Sequence, residues 1–240
     1  YQERLKNWIL SAQDRGILGS AALTDAKGNR RLKPHQQPCT DSNVHIVEKR
    51  ADGIVVRGAK VMICGVAASD EIFIVPGSGY KDTDADYAVA FACPRDIEGL
   101  TIVETRRPSD DREYKKNWDI PETGITQAYL LFDNVFIPNE RVFMAGEYKY
   151  AGKVIEYFTA NYRACIGACV AGQGDVMIGA GILMARANGL SSKKFDDKLV
   201  AMAANNETTF GLGIGAMALG GPKNGVWVSD SKIAHLNKLY

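Results

Sequence analysis

The sequence predicts an α+β chain in which an antiparallel β-domain leads into part of a helical bundle. Three observations carry that prediction. The first is the stretch Phe132-Asp133-Asn134-Val135-Phe136-Ile137-Pro138-Asn139-Glu140-Arg141-Val142-Phe143. It reads as the exit of a buried strand into a proline-punctuated turn, with helical sequence beyond. The second is the set of short β-branched runs, separated by Gly, Pro and Asp, that precede it. The third is the pair of long Gly/Ala-rich segments of helical spacing that follow it.

Residues 1–12 have amphipathic helical spacing through Leu5, Trp8, Ile9 and Ala12. Ala21-Ala22-Leu23-Thr24 is a short apolar strand. It ends in Asp25-Ala26-Lys27-Gly28-Asn29-Arg30, where Asp, Gly and Asn supply the backbone angles of a turn. Residues 44–50 alternate, Ala51-Asp52-Gly53 turns, and residues 54–63 alternate again. Asp-Gly between two alternating runs is a strong hairpin signal. Further strands are expected over 71–75, 87–92, 100–104 and 127–132, with the polar insert 106–121 as a surface excursion. A helix is expected over 150–187 from Val154, Phe158, Tyr162, Cys165/Ile166 and Cys169. Ser191-Ser192 offers an N-cap for a second helix over 199–219, stopped by Gly220-Gly221-Pro222. Glycine inside a helix costs about 1 kcal/mol against alanine. The glycines at 167, 172, 174, 211, 213 and 215 therefore predict close helix–helix approach or a bulky ligand against the backbone. They are not nucleotide loops: Met177 and Ala216 stand at the third-glycine positions, and neither segment follows a strand.

A chain of 240 residues, 46% hydrophobic and 24% charged, has room for two modest domains. Its net charge is +1 and no basic cluster exceeds Arg30-Arg31, so no nucleic-acid partner is expected. No signal peptide is expected, and no apolar run is read as approaching the length that spans a bilayer; a cytoplasmic protein without a membrane partner is expected. The odd count of five cysteines favours reduced thiols. The chain opens at Tyr1 inside helical sequence and stops at Tyr240 just after Ile233-Ala234-His235-Leu236 begins a new pattern. It reads as part of a longer protein.

Cys165 and Cys169 are one helical turn apart, so both sulfurs fall on one face with Tyr162 a turn earlier. Two thiolates at that spacing could contribute to a metal site, but four ligands are normally needed, and packing is the expected reading. Thr24 and Asp25 at a strand end are turn formers. A hydroxyl and backbone amides there could equally meet the pyrimidine edge of a flavin. His35, His45 and His235 are scattered and form no metal pattern.

Several phrases taken together carry a resemblance. Thr24-Asp25-Ala26-Lys27-Gly28-Asn29-Arg30, Ile46-Val47-Glu48-Lys49-Arg50, Asp52-Gly53-Ile54-Val55-Val56-Arg57-Gly58-Ala59-Lys60, Phe91-Ala92-Cys93-Pro94 and the stretch from Phe132 to Phe143 resemble the 4-hydroxyphenylacetate 3-hydroxylase family. That family contains reduced-flavin aromatic monooxygenases and 4-hydroxybutyryl-CoA dehydratases, and Asp86-Tyr87-Ala88-Val89 leans towards the dehydratases. The resemblance implies an acyl-CoA-dehydrogenase-like fold, usually tetrameric. Residues 1–19 would end an N-terminal helical domain, 20–145 form the central β-domain and 146–240 part of the C-terminal bundle. It implies FAD between β-domain and helices, cradled by Ala22, Leu23, Thr24 and Asp25 with Cys64 and Gly65.

The dehydratases also hold a [4Fe-4S] cluster, and the resemblance places one cysteine ligand at Cys169. The family's histidine ligand falls on Tyr162, a glutamate on Gln127, a helical tyrosine on Ile166, a lysine on Val170 and a flavin-contacting threonine on Cys64. Glutamine cannot act as a carboxylate base, and isoleucine has no proton to give. Gln127 and Tyr162 are nevertheless the catalytic candidates by position. The implied function is an FAD-dependent enzyme acting on the acyl chain of a CoA thioester by dehydration, isomerisation or oxidation. The alternatives are a reduced-flavin monooxygenase of a phenolic substrate and a non-catalytic structural paralogue.

Overall fold

The computed structural model describes residues 1–26, 28–105, 126–190 and 192–239. The insert expected over 106–121, together with Lys27 of the turn phrase and Ser191 of the expected cap, lies outside them. The chain divides into two compact units, Tyr1–Gly152 and Lys153–Tyr240.

The first unit opens with helix α1 (Gln2–Asp14) and carries eight described strands: β1 (Gly19–Ala22), β2 (His45–Lys49), β3 (Gly53–Cys64), β4 (Glu71–Ile74), β5 (Val89–Pro94), β6 (Leu100–Glu104), β7 (Gln127–Pro138) and β8 (Val142–Ala145). They form two four-stranded sheets of order β1-β4-β5-β8 and β2-β3-β7-β6. The Asp-Gly hairpin is present, with Lys49 opposite Ile54 and the Arg50 amide donating to Gly53 O at 2.8 Å. Every pairing is antiparallel except β1 with β4, which is parallel. Inward residues of both sheets share one core: Ile72, Ile74, Phe91 and Val142 from one, Val56, Leu130, Val135 and Ile137 from the other. Phe91 meets Phe132 edge-on across it at 5.8 Å.

Two expectations are corrected in β3 and β7. The turn expected after Phe132 is a bulge, and β7 runs on to Pro138. Phe132 pairs with Gly58 and Val135 with Val56, so Asp133 and Asn134 together oppose Arg57, and Asn134 absorbs the extra residue at φ 53°. Gly58 is required opposite it: φ is 125°, and a Cβ would lie 2.3 Å from Asn43 O. A second bulge puts Val61 and Met62 against Tyr129, with Met62 at φ 57°. Bulges of this kind bend and twist the strand, and periodicity alone does not show them.

Helix α1 docks through a ring stack and a buried carboxylate. Trp8 lies 5.5 Å from Phe73 and 5.7 Å from Phe143. Its indole N–H donates to Glu71 Oε2 at 2.7 Å, and Arg15 and Arg141 complete the Glu71 shell at 3.0 and 2.9 Å.

The second unit takes up most of helix α2 (Tyr148–Ala187), then α3 (Asp196–Ala218), a hairpin of β9 (Gly221–Lys223) and β10 (Val226–Val228), and the short helix α4 (Ser231–Leu236). The α2–α3 seam is antiparallel, because Gly167 meets Gly213, Gly174 meets Asn206 and Gly181 meets Leu199. A Cβ at Gly167 would sit 2.8 Å from Gly213 Cα, so close approach is what the glycines permit there. Asn206 donates across the seam to Ala171 O at 3.0 Å and to Asp175 Oδ1 at 2.8 Å. Phe195, not a serine, is the N-cap residue of α3. It makes no side-chain cap, and Asp196 and Asp197 supply the negative charge at the first turn.

One composition reading is corrected. By length and composition α2 is apolar enough to cross a membrane. No unbroken run announces this in the sequence, because Lys153, Glu156, Arg163, Asp175 and Arg186 interrupt the helix. Its Ala164, Gly167 and Ala171 are buried in the helical unit.

Candidate functional site

The candidate cradle is built on a buried ion pair. Lys60 sits in β3, 1% exposed, at a position where the strand's alternation turns the side chain inward. Its Nζ lies 2.9 Å from Asp25 Oδ1 and donates to Leu23 O and Val75 O, both at 2.9 Å. Asp25, 4% exposed, also accepts from the Val44 amide at 3.1 Å. The Asp25 carboxylate therefore faces the interior, and what the strand end offers outward is backbone and the Thr24 side chain. Tyr80 closes over this group. Its hydroxyl accepts from the Gly77 amide at 2.8 Å, and burial followed by the nearby Asp25 charge pushes its pKa up, so it remains a neutral phenol.

Beside this pair, residues 22–25 run along the C-terminal half of β3. The Val61 amide donates to Thr24 O at 2.8 Å, and Ser20 Oγ donates to Cys64 O at 2.8 Å. Thr24 therefore lies against Val61, while Cys64 and Gly65 lie further along, level with Ser20. Leu23 and Thr24 are partly exposed, Ala22 is buried and Cys64 is exposed. Gly65 takes a left-handed φ of 71°, which turns the chain out of β3. Gln127 is the register partner of Cys64, and its amide donates to Cys64 Sγ at 3.7 Å. Cradle and catalytic candidate thus share one strand-end shelf. Met62, 63% exposed on its bulge, stands on the same segment. Sequence reasoning missed Met62 and Lys60; a lysine at an inward position of an alternating strand was the signal for the second.

A neighbouring loop pair is latched by His35, whose Nδ1 lies 2.6 Å from Oδ1 of the buried Asp84. Burial acts to raise the Asp84 pKa, but the His35 and backbone hydrogen bonds outweigh it and the net shift is downward. His45 packs against Tyr87 with ring centroids 4.9 Å apart and the planes tilted by 31°.

The helical candidates lie on exposed faces of α2. Tyr162 is 56% exposed and stacks on Phe158 at 6.0 Å; Cys165 and Cys169 are both exposed. The packing expected for these two thiols is not found, because the α2–α3 seam runs through Ala164, Gly167 and Ala171 instead. Among the described residues no three His, Cys, Asp or Glu side chains gather to hold a metal. The donor set here does not fit a four-ligand cluster. The shelf does fit a flavin edge: rigid backbone, a hydroxyl and an amide stand beside apolar Leu23 and Met62.

The fold is acyl-CoA-dehydrogenase-like. The chain belongs to the 4-hydroxyphenylacetate 3-hydroxylase family: the model of the family's N-terminal part matches residues 1–144 and that of its C-terminal part residues 151–240. It is 40% identical over 227 residues to the 4-hydroxybutyryl-CoA dehydratase/vinylacetyl-CoA-Delta-isomerase of Clostridium aminobutyricum, covering 92% of this chain and 46% of that protein. An oxygen-tolerant archaeal 4-hydroxybutyryl-CoA dehydratase from N. maritimus superimposes with a TM-score of 0.85 at 31% identity, over 98% of this chain and 48% of that one. The oxygenase component of 4-hydroxyphenylacetate 3-monooxygenase, complexed with FAD and 4-hydroxyphenylacetate, has a TM-score of 0.79 at 24% identity, over 97% and 49%. The chain thus spans about half the length of the relatives it matches.

Proposed function

We propose that this chain forms the flavin-binding β-domain and part of the helical bundle of an FAD-dependent enzyme that acts on the acyl chain of a CoA thioester by dehydration or isomerisation. The carrying observation is that the 40% identity to the dehydratase/isomerase spans 227 residues and so reaches through both compact units. In this reading Ala22, Leu23, Thr24 and Asp25 with Cys64 and Gly65 hold the cofactor, Asp25 from the interior side. When bound, the flavin supplies reversible electron transfer. Gln127 donates and accepts hydrogen bonds and orients a substrate carbonyl; as an amide it holds no titratable proton. Tyr162 offers a phenol in place of an imidazole. Cys169 is retained as the one thiolate position toward a cluster, and no step is derived through that group. Residues 1–19, 20–145 and 146–240 are proposed as parts of three family domains, in a cytoplasmic homotetramer.

A second reading, a reduced-flavin monooxygenase of a phenol, is favoured by one observation: Gln127 and Ile166 lack the acid and phenol that the resemblance to dehydratases implies at those positions. The test is to incubate the full-length protein anaerobically with 4-hydroxybutyryl-CoA, and separately in air with reduced flavin and 4-hydroxyphenylacetate. Anaerobic turnover of the thioester is expected. Oxygen-dependent hydroxylation alone would replace the first reading with the second, and the absence of bound yellow flavin would remove both.

A further inference from the structure

We infer that Lys60 is a positioning residue for the flavin shelf, aiming the peptide between Leu23 and Thr24 so that the Thr24 N–H faces a bound flavin. This inference rests on the flavin reading above. In a planar trans peptide the C=O of one residue and the N–H of the next point in opposite directions. Lys60 Nζ takes the Leu23 carbonyl at 2.9 Å on the interior side. The Thr24 N–H of the same peptide then points away from Lys60 Nζ, and Thr24 itself is partly exposed.

The ammonium is itself held in place. It lies 2.9 Å from Asp25 Oδ1 and donates to Val75 O at 2.9 Å, while Asp25 accepts from the Val44 amide at 3.1 Å. The buried Lys60–Asp25 pair thereby ties together the end of β1, the middle of β3, the residue after β4 and the residue before β2. A lysine is a point donor on a flexible stem and can meet these oxygens together; a planar guanidinium of larger size cannot reproduce that geometry in the same space.

A purely structural role would be served by any well-packed replacement, since buried ion pairs are often exchanged for apolar residues without loss of stability. The positioning role makes a different demand, and the Glu71 group provides the comparison. Glu71 opens β4 whereas Val75 follows its end, so a change there affects a buried charge group without touching the Leu23 peptide.

The experiment uses full-length protein stripped of flavin and titrated with FAD, following flavin fluorescence, the visible absorption band and thermal stability. Lys60→Met is paired with the doubly neutral Lys60→Met/Asp25→Asn, and Arg141→Met is the comparison. Lys60→Met and the double variant are expected to weaken FAD binding by about ten- to a hundredfold and to shift the visible band. Arg141→Met is expected to lower the melting temperature with affinity and band unchanged. Should both neutral variants fail to fold, Lys60→Arg decides, and a shifted band is expected from it. Wild-type affinity and band in a folded Lys60 variant would overturn the inference and leave the flavin reading standing. A wild-type protein that takes up no FAD would overturn both.

Discussion

Glu71 draws three donors around a carboxylate that is 3% exposed, and its titration follows from them. Burial alone would raise its pKa; hydrogen bonds from Arg141, Trp8 and Arg15 outweigh that and hold it at about 2, against an ordinary 4.5. A depressed carboxylate stabilises the fold fully above its unfolded value and progressively less as the pH falls towards its folded one. The shift corresponds to about 3 kcal/mol, present at neutral pH and lost between about pH 5 and pH 2. Denaturant melts across that window should fall more steeply for the wild type than for Glu71→Gln; parallel curves would show that the Glu71 group contributes nothing specific. Cys93 behaves in the opposite sense, since burial pushes its thiol up to about 12. It should resist thiol reagents at about pH 8 in the folded protein and react only after unfolding. Neither property could be read from the chain. Glu71 and Cys93 lie in ordinary-looking strand segments, and it is the tertiary arrangement of Trp8, Arg15 and Arg141 that changes one and the packing of the core that changes the other.

At the scale of elements, the α2–α3 seam gives the sharpest test. A Cβ at Gly167 would meet Gly213 Cα at 2.8 Å and Thr209 O at 2.9 Å, and both atoms belong to backbone that cannot swing aside. Gly167→Ala should therefore cost about 1–3 kcal/mol despite the better helix propensity of alanine. Gly172, where a Cβ would have no neighbour within 4 Å, should gain roughly 0.5–1 kcal/mol as alanine. Thermal or urea melts of the two variants should move in opposite directions; equal shifts would show that the seam is not close-packed. Much at this scale was legible. The Asp52-Gly53 hairpin, the 100–104 strand and both long helices follow from periodicity and turn chemistry. What was not legible depends on registers set by a partner strand. The Asp133-Asn134 bulge looks like a turn locally because both residues favour turns, and only the pairing of Val135 with Val56 keeps it inside a strand. The parallel β1–β4 pair is likewise fixed by sheet order, which local alternation does not encode.

At the scale of the whole molecule, the shelf and the thiols of α2 differ in what this chain supplies by itself. The shelf is complete in its own terms: Leu23, Thr24, Cys64 and Gln127 are placed by hydrogen bonds within one compact unit. Its residues were visible in the sequence as a strand end and a turn, although the interior direction of the Asp25 carboxylate was not, because it depends on Lys60, far along the chain. The thiols of α2 show the reverse. Cys165 and Cys169 were legible as a pair on one helical face, and they are both exposed there, but no third ligand joins them among the described residues. Tyr162, at the position where the resemblance implies a histidine ligand, offers a phenol oxygen, a harder donor than imidazole, and this weakens its claim on iron. The expectation is therefore a weakly held or absent cluster in the full-length protein purified under anaerobic conditions. Iron and acid-labile sulfide well below about four of each per chain would agree with it. If a full complement is found, Cys169→Ser separates the cases: loss of iron makes α2 a ligand element in spite of Tyr162, and an unchanged complement shows that the cluster is held entirely by other parts of the protein. Tyr162→His in the same background should raise iron retention if the ring's donor type is what limits the site.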